Sequence, residues 1–211
     1  MILNDFHLLN INPLKWYPVA ISENSLIPAL YGHSSTLVFP SDVRSNPKMT
    51  IYKVPEEKFQ RKYQGRIREK GIYLFGGKSS DNVLSNDIYV IKLGRKPLDI
   101  FKLAVKGKPP CPRYFHTTNF YEEGNSLIVY GGRNDDHNEY ALGDIFLFEL
   151  ASLEWIEVSI YSNINITLYA RCGHSSLIVN NKLIVFGGMN NNNYLGSSLL
   201  FMELGKVEII K

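Results

Sequence analysis

The sequence predicts an all-β fold of four-stranded antiparallel blades stacked about an axis, a β-propeller whose ring these 211 residues do not complete. Three observations carry the prediction. An apolar run ending in a double glycine occurs three times, as Ile72–Gly77, Leu127–Gly132 and Leu183–Gly188, with the first glycines 55 and 56 residues apart. Around each lie further short β-rich runs separated by turn signals, four to a unit. No segment sustains a helical period. A lone four-stranded sheet cannot bury both its faces, and radial stacking of such sheets solves that problem.

Taken in order, Asn4–Ile11 matches a third strand and Trp16–Ile21 a fourth, so residues 1–24 read as half a blade. Residues 25–107 read as a whole blade, with inner run Tyr31–Ser35, then Ile72–Gly77, Asn86–Leu93 and Asp99–Leu103. An insertion, residues 41–70, separates its first two strands. Residues 108–163 repeat the pattern with Tyr114–Thr118, Leu127–Gly132, Gly143–Leu150 and Glu154–Val158. Residues 164–211 do so with Cys172–Ser176, Leu183–Gly188, Ser197–Leu204 and Lys206–Ile210. The first two strands of the opening half-blade would precede Met1, so the chain is expected to be a piece of a longer protein with further blades.

Composition narrows the function. The chain is 45% hydrophobic and 20% charged, and no run approaches the ~18 apolar residues of a membrane span. No signal-peptide pattern opens it, and Cys111 and Cys172 form neither a metal-ligand spacing nor a disulfide framework. They read as free thiols, which places the chain in the cytoplasm. The net charge of +3 is local: residues 41–70 hold nine basic and four acidic residues, leaving the remainder net acidic. That argues against a nucleic-acid-binding face. The insertion reads either as a solvated loop or as a basic docking loop for an acidic or phosphate-bearing surface. Asn190–Asn193 reads as a low-complexity loop expansion.

The repeat resembles the kelch family, whose marks are a double glycine ending the second strand, an aromatic in the third and a tryptophan opening the fourth. Here these are Gly76 and Gly77, Gly131 and Gly132, and Gly187 and Gly188; then Tyr89, Phe146 and Phe201; and Trp155 and Trp16. The tryptophan is missing elsewhere, where Phe101 and Val207 stand. Pro109–His116 resembles the connection between kelch blades. The resemblance implies partner binding across the channel mouth, on loops joining strands two and three and at the entrances to the inner strands. Those loops are Lys78–Ser85, Arg133–Leu142 and Met189–Gly196.

His33, His116 and His174 recur at equivalent positions, which argues for a shared structural bond to a neighbouring blade's backbone rather than a metal site. The double glycines lack the Gly-Lys-Ser/Thr and helix of a phosphate loop, so their reading is steric. Asp87 and Asp144 open third strands and read as partners of loop amides. Arg113 and Arg171, each three residues before a repeated histidine, offer a carboxylate-gripping fork to a partner or a bond between blades. The first of these readings expects Arg171→Ala to weaken binding without unfolding the chain. Tyr31, Tyr114 and Tyr140 read as aromatic anchors, the first two equally as packing. Lys78, Arg133, Asp135 and Asp136 lie on loops that could read a partner or act as spacer.

No hydrolase elbow or zinc-protease motif occurs, so no catalysis and no cofactor are expected. Two enzyme families sharing the fold also fail: neither cysteine has a copper-oxidase ligand set beside it, and no histidine follows an aspartate by four residues as an iron-specifier motif requires. The leading expectation is a protein-interaction module binding a peptide or protein. The alternatives are a regulatory or targeting domain of a larger enzyme, such as a phosphatase or ubiquitin-ligase adaptor, and a cytoskeletal linker.

Overall fold

The computed structural model describes residues 2, 5–25, 28–38, 69–93, 97–136, 140–158, 169–191 and 193–204. Most of the insertion and the run Lys206–Ile210 lie outside them. The described residues hold strands β1 (His7–Ile11), β2 (Leu14–Pro18), β3 (Ser34–Val38), β4 (Gly71–Phe75), β5 (Ile88–Lys92), β6 (Asp99–Lys102) and β7 (Thr117–Tyr121). After these come β8 (Ser126–Arg133), β9 (Ala141–Glu149), β10 (Glu154–Val158), β11 (Ser175–Val179), β12 (Lys182–Phe186) and β13 (Leu199–Glu203).

All strand pairs within the sheets are antiparallel and sequential: β1-β2, β3-β4-β5-β6, β7-β8-β9-β10 and β11-β12-β13. Short hairpin turns set the register. Between β11 and β12 the turn is Asn180-Asn181, at φ 48° and 57°, the left-handed pair that matches the twist of the flanking strands. On leaving one blade the chain first runs parallel to the outer edge of the next. Ile21 bridges Leu98, and Lys106 bridges Glu154, before the chain crosses to the innermost strand.

Burial follows stacking. β8, the second strand of the middle blade, is buried at seven consecutive residues, whereas β4 and β12 alternate. Both faces of the middle sheet are covered, and one face of each neighbour. Val38, Tyr73, Phe75, Ile88 and Val90 from one blade meet Leu127, Val129, Phe146, Phe148 and Trp155 from the next. The opposite face of the middle blade carries Ile128, Tyr130 and Ile145, which pack on Leu183 and Val185. Beyond the last sheet Leu177, Phe186, Leu199 and Phe201 stay exposed, as do Ile11, Leu14 and Trp16 on the opening hairpin. The described sheets do not close into a ring.

Candidate functional site

The recurring residues sit at the seams between blades. Nε2 of His116 hydrogen-bonds Oγ of Ser34 at 2.7 Å, and Nε2 of His174 bonds Oγ1 of Thr117 at 2.9 Å. Each ring therefore meets a hydroxyl of the preceding blade, and His116 also meets the backbone of Phe75 there. The imidazoles also stand edge-on to the aromatic that ends the preceding second strand, Phe75 at 5.0 Å and Tyr130 at 5.1 Å. Burial holds the His116 imidazole well below its usual range, with Arg113 adding to the effect, and lowers His174 to about 4. His33 is exposed, and its Nδ1 faces the carbonyl of Leu30 at 3.2 Å.

The double glycines close the same seams. Gly77 and Gly132 donate N–H to the carbonyls of Arg113 and Arg171, each at 2.8 Å. A Cβ on Gly131 would lie 2.6 Å from the Arg171 carbonyl oxygen, so no side chain fits there. Gly187 and Gly188 have the same backbone form, at φ 65° and 90°. Trp155, 4% exposed, fills the corner between blades against Phe75 and Phe148 at 5.1 and 4.9 Å. Trp16 is 62% exposed, because no described strand supplies it with the counterpart of Phe75.

Both arginines turn inward. Arg113 is wholly buried; Nη1 and Nη2 donate to Oδ1 and Oδ2 of Asp144 at 2.6 and 2.7 Å, and Nη1 also to the carbonyl of Gly131 at 3.0 Å. Its Nε donates to the carbonyl of Cys111. Arg171, 3% exposed, donates to the carbonyls of Gly187 and Tyr169. These bonds brace each arginine to its own blade, and the guanidinium donors do not reach the surface. The sequence left Asp144 to the loop amides, but it takes up the Arg113 fork.

The other candidates converge at the end of the blades where the inner strands enter. Asp135 accepts from Nζ of Lys78 at 2.7 Å, Nε of Arg133 at 2.5 Å and the hydroxyl of Tyr114 at 3.0 Å. Burial works against its charge, but these three donors hold the carboxyl down at about 2. The Tyr114 hydroxyl is pushed up to about 12 by burial and by its bond to Asp135. Lys78 and Arg133 lie over the Tyr114 ring at 5.3 and 5.8 Å, and Arg133 stacks on Tyr140 at 4.2 Å. Tyr31 stands edge-on to Tyr114 at 5.8 Å. Asp136 is exposed beside them. Lys78 and Tyr31 come from one blade and the remainder from the next, so the cluster spans a seam.

Sequence reasoning missed Phe115, which joins this cluster at 4.7 Å from Tyr114. The signal was present: Gly32 and Gly173 occupy the same place in the other two blades. The asparagine run also does more than lengthen a loop, since the Tyr140 hydroxyl donates to the carbonyls of Asn190 and Asn191, both at 3.0 Å. Among the described residues no group of three or more His, Cys, Asp or Glu side chains could hold a metal, and no helix is long and apolar enough to cross a membrane.

The family model described as the KLHDC2/KLHL20/DRC7 Kelch-repeats domain matches residues 66–208. The chain is similar to a probable serine/threonine-protein kinase of Dictyostelium discoideum, 36% identical over 150 residues that cover 70% of the chain and 11% of that protein. It is also similar to host cell factor homolog hcf-1 of Caenorhabditis elegans, 35% identical over 128 residues, covering 55% of the chain and 16% of that protein. Kelch domain-containing protein 3 of Rattus norvegicus is 25% identical over 224 residues, covering 88% and 56%. The chain spans well under two thirds of the length of each.

Proposed function

The chain belongs to the kelch-repeat family, and on that premise we propose that it is a non-catalytic interaction module whose partner, a peptide or protein, docks at the mouth built from Lys78, Tyr31, Tyr114, Arg133, Asp135, Asp136 and Tyr140. One observation carries the reading: charged and aromatic side chains from two blades are drawn together at one end of the stack and held there by one carboxylate. Loops on a rigid sheet scaffold keep such groups pre-arranged, which lowers the ordering cost of binding. Arg113 and Arg171, once candidates for the same role, serve this surface from beneath by fixing the inner-strand entrances. The reading calls for no nucleic acid, cofactor or metal.

The test is affinity capture with the full chain and two sets of variants. Lys78→Glu with Arg133→Glu should remove specific partners, while Glu123→Lys, on the β7–β8 turn at the far end of the blade, should retain them. Retention by the first and loss by the second would move the site to the opposite end.

A second reading has one observation behind it. Relatives such as the Dictyostelium kinase carry the matching segment as a small fraction of their length. The module would then target a larger protein, enzymatic or cytoskeleton-associated, in the cytoplasm. Immunoblotting for the native product separates the two: a band near 24.1 kDa argues for a free-standing module, a much larger one for the targeting role.

A further inference from the structure

Phe115 stands where the fold calls for glycine. The three described inner-strand entrances read Tyr31-Gly32-His33, Tyr114-Phe115-His116 and Cys172-Gly173-His174. Their middle residues share a left-handed backbone, at φ 65°, 55° and 64°. A bonding chain between blades imposes that angle: Phe115 donates its N–H to the carbonyl of Gly32 at 2.7 Å, and Gly173 donates to the carbonyl of Phe115 at 2.8 Å. Glycine adopts the angle freely, whereas a side chain bearing Cβ adopts it at a cost.

Burial of the ring is incomplete. Phe115 is 44% exposed, and the neighbouring Tyr31 is 37% exposed. Phe115 lies 4.7 Å from the Tyr114 ring and 6.2 Å from Tyr31, so the three aromatics cluster at the mouth, tilted and edge-on to one another. Arg133 lies at the edge of the cluster, over Tyr114 at 5.8 Å and over Tyr140 at 4.2 Å. Its Nε is engaged by Asp135, and among the described residues neither Nη donates to an acceptor. A planar cation held over two rings, with its Nη groups unbonded among the described residues, suits one carboxylate. The partly exposed carboxylate of Asp135 and the exposed one of Asp136 beside it disfavour a polyanion.

We propose that Phe115 is a recognition residue: with Tyr31 it receives an apolar side chain of a partner's peptide segment, while the Nη edge of Arg133 takes an acidic side chain next to it. Strain at an exposed aromatic position fits a contact surface better than a packing role. The proposal rests on the reading of the mouth as the binding face.

The probe is a displayed library of random dodecapeptides selected on the full chain, with the enriched peptides then synthesised and titrated. The expected winners pair leucine, isoleucine or an aromatic residue with an adjacent aspartate or glutamate. Phe115→Gly should weaken them tenfold or more while leaving the melting temperature equal to or above that of the parent. Arg133→Gln should abolish the preference for the acidic residue over its amide. Three results would overturn the proposal: no enrichment of the pair, unchanged affinity in Phe115→Gly, or a fall in its melting temperature as large as that of a core substitution. Affinity lost in Arg133→Gln but kept in Phe115→Gly would leave the mouth as the site and remove only this residue's role. Affinity kept in both would remove the mouth reading itself.

Discussion

Replacing Asp144 by serine tests whether the buried arginine braces its blade. Arg113 has no exposed surface, and both terminal nitrogens are committed to the Asp144 carboxylate. Removing one partner of a fully buried ion pair costs about 3–5 kcal/mol, because the surviving charge remains out of water. Two features lower that figure here. The Asp144 side chain is 35% exposed, so part of the pair was never desolvated. The carbonyls of Gly131 and Cys111 continue to accept from the guanidinium. The last blade supplies an internal calibration, since Ser198 stands at the place of Asp144 and Arg171 is still buried against the Gly187 carbonyl. We therefore expect Asp144→Ser to cost about 2 kcal/mol. In a domain of this size that lowers the melting midpoint by about 4–8 °C. Urea unfolding followed by tryptophan fluorescence measures it, since Trp155 is buried within the folded blades. The loss should persist at about 1 M salt, because mobile ions screen buried pairs only weakly. Adding Arg113→Met to Asp144→Ser should recover part of it by removing the stranded charge. A single variant that unfolds with the parent, or whose deficit disappears in salt, refutes the brace.

Two further outcomes follow from the seams. At Gly132, with φ 106°, a Cβ would lie 2.8 Å from that of His116, so Gly132→Val should cost at least about 3 kcal/mol. Gly187→Ala, with φ 65° and its nearest neighbour at 3.1 Å, should cost about 1 kcal/mol, and equal losses in denaturant midpoint would defeat the steric account. The folded-state pKa of His174, about 4, lies below its unfolded value, so the unfolded chain binds the extra proton first. The stability from its neutral ring is thus complete above about pH 6.5 and is lost as pH falls toward 4, a span of about 3 kcal/mol. Urea midpoints measured from pH 7 to 4 should show this slope in the parent and a shallower one in His174→Gln; identical slopes would assign the acid sensitivity elsewhere.

Legibility in the sequence divides along a physical line. Strand runs, double glycines and repeated histidines could be read because every blade solves the same packing problem, and a problem solved three times leaves a periodic trace. The environment of the repeated histidines could not be read, because it comes from the adjacent blade, 82 residues away for His116 and 57 for His174. Contacts within a blade can be as hard to read: three residues before a histidine, the arginines suggest either a fork for a partner or a bond between blades. Only the fold reveals that Asp144, some thirty residues later, turns inward to meet Arg113. The cluster at the mouth was legible residue by residue but not as a unit, since Lys78 lies on a different loop and blade from Asp135 and Arg133.

The same reasoning locates function among the departures from the repeat. A position that agrees across blades is accounted for by the seam it builds, as with Gly77 and Gly132 donating to the carbonyls of Arg113 and Arg171. A position that departs from the repeat while the backbone keeps its form needs another cause. Asp144 against Ser198 has one in the charge of Arg113, which it neutralises. Phe115 against Gly32 and Gly173 has none within its seam: the backbone bonds are the same, the angle is unfavourable for a side chain, and the ring stays half in solvent. The entrance bridges beside it, Tyr31 with Lys78 and Tyr114 with Arg133, are aromatic and cationic, whereas the third pairs Cys172 with Met189. The fold accounts for the cost of that arrangement, and the proposed contact of the exposed ring with a partner's side chain is what would offset it.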